Sequence, residues 1–103
     1  MCKDDPADLE LYALISEGNV GGQGALLEKY ALKLHKTMYL ATQPLSTKKD
    51  VQKRMVPALC ARMSPRAMRP KRRGEIVRAW LYRLALEVAE DWLNDELDDD
   101  PWL

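Results

Sequence analysis

Histidine and cysteine are scarce in this 103-residue chain: His35 stands alone, and Cys2 and Cys60 lie far apart. Two distant thiols make neither a disulfide framework nor a C-x-x-C ligand pair. A lone histidine between Lys33 and Lys36 has no second ligand at metal spacing. Excess charge of either sign is also missing, because 16 Lys and Arg balance 16 Asp and Glu. Overall charge therefore selects no polyanionic partner. No apolar run approaches the ~18 residues of a spanning helix. The Met-Cys-Lys-Asp-Asp-Pro opening lacks a charged-then-apolar signal pattern. These absences lead to the expectation of a soluble, reduced, cytoplasmic protein with no membrane partner.

Chemistry-bearing patterns are equally sparse. Gly18, Gly21, Gly22 and Gly24 follow no strand and are closed by no Gly-Lys-Ser/Thr, so they read as a flexible linker rather than a phosphate cradle. Ser46, Cys60 and His35 share no nucleophile signature. Glu87, Glu90 and Asp91 place carboxylates at helical spacing, but without an associated histidine they read as a wet helix face. No enzyme, cofactor or metal is expected.

What is present is helical periodicity. Length suits one domain, and 47% hydrophobic residues can build a modest core. A first helix is expected over residues 7–17, with Asp5 as N-cap, Pro6 in the first turn and Gly18 as the stop. Its apolar side comprises Leu9, Tyr12, Ala13 and Ile15 or Ser16. A second helix, residues 25–41, carries Leu27, Tyr30, Leu34, Met38 and Ala41 on one stripe and ends before Pro44. A third begins at Ser46 or Thr47, where Thr47-x-x-Asp50 resembles a capping box. Val51, Met55, Leu59 and Met63 then recur every four residues. Pro57 lies inside that pattern and predicts a kink or break over residues 53–57.

Residues 64–74 hold Pro65, Pro70, Gly74 and five bases, and read as a loop. The last helix, residues 75–97, presents Ile76, Val77, Trp80, Leu81, Leu84, Val88 and Trp92 at the helical period. No segment alternates with period two for long enough to form a strand. The fold class is all-α: a single four-helix domain spanning residues 1–103, with its core over about residues 7–94. No internal repeat is visible.

Charge is unevenly spread along this frame. Residues 62–78 carry seven bases against Glu75, a net +6, whereas the tail from 95 to 103 is −5 and the first ten residues are −3. Such asymmetry marks interaction surfaces. Arg66, Arg69, Lys71, Arg72, Arg73 and Arg78 can grip phosphates, with Trp80 and Tyr82 as stacking faces nearby. The competing reading is a solvated loop neutralised by the chain's own acidic tail.

The stretch Gly74-Glu75-Ile76-Val77-Arg78-Ala79-Trp80-Leu81-Tyr82-Arg83-Leu84-Ala85 resembles the end of region 2 of extracytoplasmic-function sigma factors. That family typically has Trp-Leu-Tyr-Arg-Ile-Ala there. Gly18-Asn19-Val20, Leu26-Leu27-Glu28-Lys29-Tyr30 and Met38-Tyr39 are similar to its opening helices, and Asp50-Val51-Gln52 to the start of its next one. The resemblance covers about residues 9–94 and implies a region 2-like bundle. In that family the second and third helices dock on a coiled coil of the RNA polymerase β′ subunit. The following loop captures an unpaired promoter base. By the resemblance, Asp50, Gln52, Lys53, Met55 and Val56 lie at a polymerase surface, and the basic residues lie in or near the DNA-reading loop.

The chain departs from the family where Leu86, Glu87 and the acids after Asn94 replace a neutral or basic helix end, and where Pro57 interrupts the docking helix. Three readings stay open. The chain is a sigma-like protein docking on RNA polymerase, with promoter or single-stranded DNA as a further partner. Alternatively it is a sigma mimic or adaptor that binds an anti-sigma or other regulatory protein. Or it is a small DNA-binding protein with no polymerase contact.

Overall fold

The structure, a computed structural model, describes residues 3–64 and 70–98, without the side chains of the last two. All regular structure among them is helical. Helix α1 runs Pro6–Ser16: the Asp5 side chain accepts from the Ala7 amide at 2.9 Å, and Pro6 occupies the first turn. The helix stops where Gly18 adopts φ +88°. There the Asn19 amide reaches the Leu14 carbonyl and the Gly18 amide reaches that of Ile15. This six-to-one closure needs the left-handed residue that glycine supplies without strain.

Asn19 also starts the next helix. Its Oδ1 accepts from the Gly21 and Gly22 amides, and α2 spans Val20–Thr42. Gly21, Gly22 and Gly24 are therefore helix, not the linker their composition suggests, and of the run only Gly18 lies between helices. Two effects outweigh the poor helix propensity of glycine. One is the Asn19 cap, and the other is close packing at buried Gly22. A Cβ there would lie 2.8 Å from Leu14 Cβ and 3.1 Å from the Leu11 carbonyl oxygen, whereas one at Gly24 would meet nothing within 4 Å. The same substitution should thus have opposite signs. Gly22→Ala is expected to destabilise by about 1–3 kcal/mol and Gly24→Ala to stabilise by about 0.5–1 kcal/mol. Urea unfolding of the two variants checks this.

After α2 the chain turns through Gln43 and Pro44, and Thr42 Oγ1 bonds the Met38 carbonyl at 2.7 Å. Helix α3 is composite: one turn at Lys48–Asp50, a π-helical stretch at Val51–Met55, and α-helix at Val56–Met63. The expected capping box is present, with the Thr47 amide donating to Asp50 at 2.8 Å and the Asp50 amide to Thr47 Oγ1 at 3.2 Å. The kink or break expected over residues 53–57 takes the form of the π-helical stretch at Val51–Met55, and the chain stays helical through Met63. The Val56 amide reaches back five residues to Val51. Widening the helix here lets Pro57 enter without its ring striking the carbonyl four residues earlier.

Helix α4 spans Val77–Asp98 and packs along α2, which in turn packs along α1. Val77, Trp80, Leu81, Leu84, Ala85 and Val88 are buried, and they meet Leu26, Leu34 and Met38 of α2 and the Val51, Met55, Leu59, Met63 stripe of α3. In α1 the inward residues are Ile15, Leu11 and Tyr12, while Leu9 and Ala13 face outward, contrary to expectation. In α2, Thr42 rather than Ala41 completes the buried stripe. No described helix is long and apolar enough to cross a membrane.

Candidate functional site

The basic stretch divides in two. Arg66 and Arg69 lie outside the described residues. From residue 70 onward the chain is fixed by a bracket that begins in α4. Arg83 donates two parallel hydrogen bonds to Glu75, at 2.9 and 3.0 Å, and a third to the Pro70 carbonyl at 3.1 Å. The Arg72 amide donates to the same carboxylate at 3.0 Å. Arg83 first, and the Arg72 amide after it, hold the Glu75 carboxyl below its ordinary range, against burial, which raises it. Gly74, at φ +79°, makes the turn that this bracket closes.

Lys71 is turned inward. Its amide donates to the Tyr12 hydroxyl at 3.2 Å, and its ammonium sits 4.9 Å above the Tyr12 ring and 3.6 Å from Asp4. Arg72, Arg73 and Arg78 are exposed. Trp80 is not available for base stacking. It is 0% exposed, and the edge of one ring of the Tyr12–Trp80 pair meets the face of the other at 4.9 Å between centroids and 84° between planes. Its place on the core stripe of α4 dictates this, since the same face carries Val77, Leu84 and Val88. Tyr82 is half-buried and packs against the core.

The α2–α3 face is different in kind. Gln52 and Lys53 are exposed, Val56 is half-buried, and half-buried Asp50 is occupied by its capping box. Met55 is 0% exposed and contributes nothing to this surface, because the four-residue stripe carries it into the core. The apolar character comes instead from α2. Leu32 is 89% exposed at the mouth of a hollow of about 310 Å³ whose walls include Tyr39, Val51 and His35, rimmed by Lys36 and Lys48. A second hollow of about 180 Å³ shares His35 and is walled by Leu27, Val56 and Leu59. Leu32, a leucine off the buried stripe of α2, was the signal in the sequence for this face.

Between α3 and α4 lies a larger groove of about 650 Å³, floored by Met55, Ala58, Val88 and Trp92. Arg54 bridges it to Glu96 at 3.2 Å, and Arg62 pairs with Asp91. The carboxylates expected on a wet face are thus partly engaged: Asp91 by Arg62, and half-buried Glu87 by Arg83 at 3.4 Å, leaving Glu90 exposed. Among the described residues no group of three or more His, Cys, Asp or Glu is placed to hold a metal ion. No protein-family model, curated protein or solved structure matches this chain.

Proposed function

We propose that the chain is a sigma region 2-like transcription protein that works by docking on another protein through its α2–α3 face. The partner implied by the resemblance is the β′ coiled coil of RNA polymerase, which places the activity in the cytoplasm. The observation that carries this reading is the exposed apolar hollow at Leu32 with its Lys36 and Lys48 rim. An isolated exposed leucine needs no explanation, but one beside a walled hollow with charges at its edge suits an amphipathic helix with acidic flanks. Promoter DNA is the weaker half of the reading. Trp80 lies in the core and Lys71 is paired within the chain, so two of the expected contacts are not presented. That favours the adaptor variant of the proposal, in which protein docking dominates, over a DNA-binding protein with no polymerase contact.

Titration calorimetry of the full chain against a purified β′ coiled-coil fragment tests this. Leu32→Asp and Lys36→Glu are each expected to weaken binding by about tenfold or more while leaving the melting temperature unchanged. Leu9→Asp on α1 is expected to change nothing. Absence of binding, or equal loss in all three variants, refutes polymerase docking through this face.

A further inference from the structure

The residues before α1 lie against the basic stretch. Asp4 Oδ1 accepts the Val77 amide at the start of α4 at 2.6 Å, across 73 residues of sequence. Its other oxygen is 3.6 Å from the Lys71 ammonium, and both side chains are largely buried, at 15% and 20% exposure. The segment is anchored on its far side. Asp5 caps α1 and pairs with Lys29 at 3.0 Å, and buried Asp8 binds Lys29 at 2.7 Å and the Tyr30 hydroxyl. Arg78 shares a small hollow of about 120 Å³ with Asp4, Asp5, Asp8 and Tyr30. The acidic start of the chain therefore lies against Lys71 and Arg78, while Arg72 and Arg73 are exposed.

We propose that Asp4 is a built-in competitor for phosphate: it holds Lys71 inward, and its displacement completes a phosphate-binding face with Arg72, Arg73 and Arg78. The ligand is the backbone of single-stranded DNA. The inference rests on reading the basic stretch as a DNA-facing surface, the weaker half of the proposed function. The physical basis is substitution of like for like. A carboxylate and a phosphate oxygen both accept from an ammonium, and the intramolecular one needs no association. Of the bases at residues 71–78, Lys71 is thereby paired within the fold, while Arg72, Arg73 and Arg78 stay exposed.

The test uses the full chain and a fluorescent oligothymidylate. Asp4→Asn keeps an acceptor for the Val77 amide and removes the charge. It is expected to bind the oligonucleotide about five- to tenfold more tightly at low salt, with the gain shrinking as salt rises. Lys71 should also react faster with an amine-acylating reagent, read by peptide mass, and adding Lys71→Ala should remove the gain in affinity. In the parent chain, Lys71→Ala should weaken binding less than about twofold, since the masked ammonium contributes little. That arm holds even if Asp4→Asn unfolds. A larger loss there, or unchanged affinity in Asp4→Asn when the parent binds, overturns the competition while the DNA-facing reading stands. Faster acylation of Lys71 with no binding by either protein overturns the DNA-facing reading and the competition together.

Discussion

Trp80→Ala is expected to cost about 3–5 kcal/mol, which is a large part of the whole stability of a domain this size. Among the described residues the indole is the largest fully buried side chain, at 0% exposure, and it lies where α4 meets α1. Removing it leaves a void bounded by Tyr12 and by the buried leucines of α4, which the rigid helices cannot close. The edge-to-face pair with Tyr12 is lost as well, worth about 0.5–1.5 kcal/mol beyond area burial. For a domain of about 100 residues that cost lowers the melting temperature by about 15–30 °C. Trp80→Phe, which keeps a ring against Tyr12, should lose markedly less. Calorimetry of the three proteins decides it, and melting of Trp80→Ala equal to the parent would mean that the indole packs against nothing.

Trp80 also shows where helical periodicity and mere proximity to charge part. Its helical spacing with Val77, Leu84 and Val88 places it in a core, and only proximity to a basic stretch suggests stacking. Met55 repeats the lesson, since the four-residue recurrence with Val51, Leu59 and Met63 had already put it inside. In both cases burial of a large apolar group outweighed a surface role, suggested for Trp80 by the neighbouring bases and for Met55 by the resemblance. The cap at Asp5, the stop at Gly18, the capping box at Thr47 and the break ahead of Pro57 were legible because each is local: the interacting atoms lie within five residues. The glycine run misled because composition reports propensity alone, while Gly22 is fixed by contact with Leu14 on another helix. Asp4 at the head of α4 was beyond reach, since no spacing rule connects a residue to an amide 73 positions away. Leu32 was visible as an off-stripe leucine, but the hollow beside it needs the walls of α3.

Arg83 is the second position with a large expected effect, and its reach is local order rather than core volume. Arg83→Met should cost about 2–4 kcal/mol, below the figure for a fully buried pair because both partners keep some access to water. The change strips the fork from Glu75, whose side chain is 13% exposed, and removes a donor from the Pro70 carbonyl. A carboxylate is then left mostly buried with the Arg72 amide as its remaining partner in the bracket, so the turn at Gly74 loses its closure. The pH dependence follows from the direction of the Glu75 shift. Its folded pKa is depressed, first by Arg83 and then by the Arg72 amide, so the stability it contributes is present above its unfolded pKa. That stability is lost as pH falls below about 4, through the folded pKa. In Arg83→Met the main cause of the depression is gone, so the acid-side loss contributed by Glu75 should shrink. Glu75→Gln, which has no proton to take up, should flatten the acid limb while lowering stability near neutrality. Urea unfolding between about pH 3 and 7 separates these outcomes. Parallel acid limbs in the parent and Glu75→Gln would assign acid unfolding to other carboxylates, such as the capping pair Asp5 and Asp50, whose pKa values are also lowered.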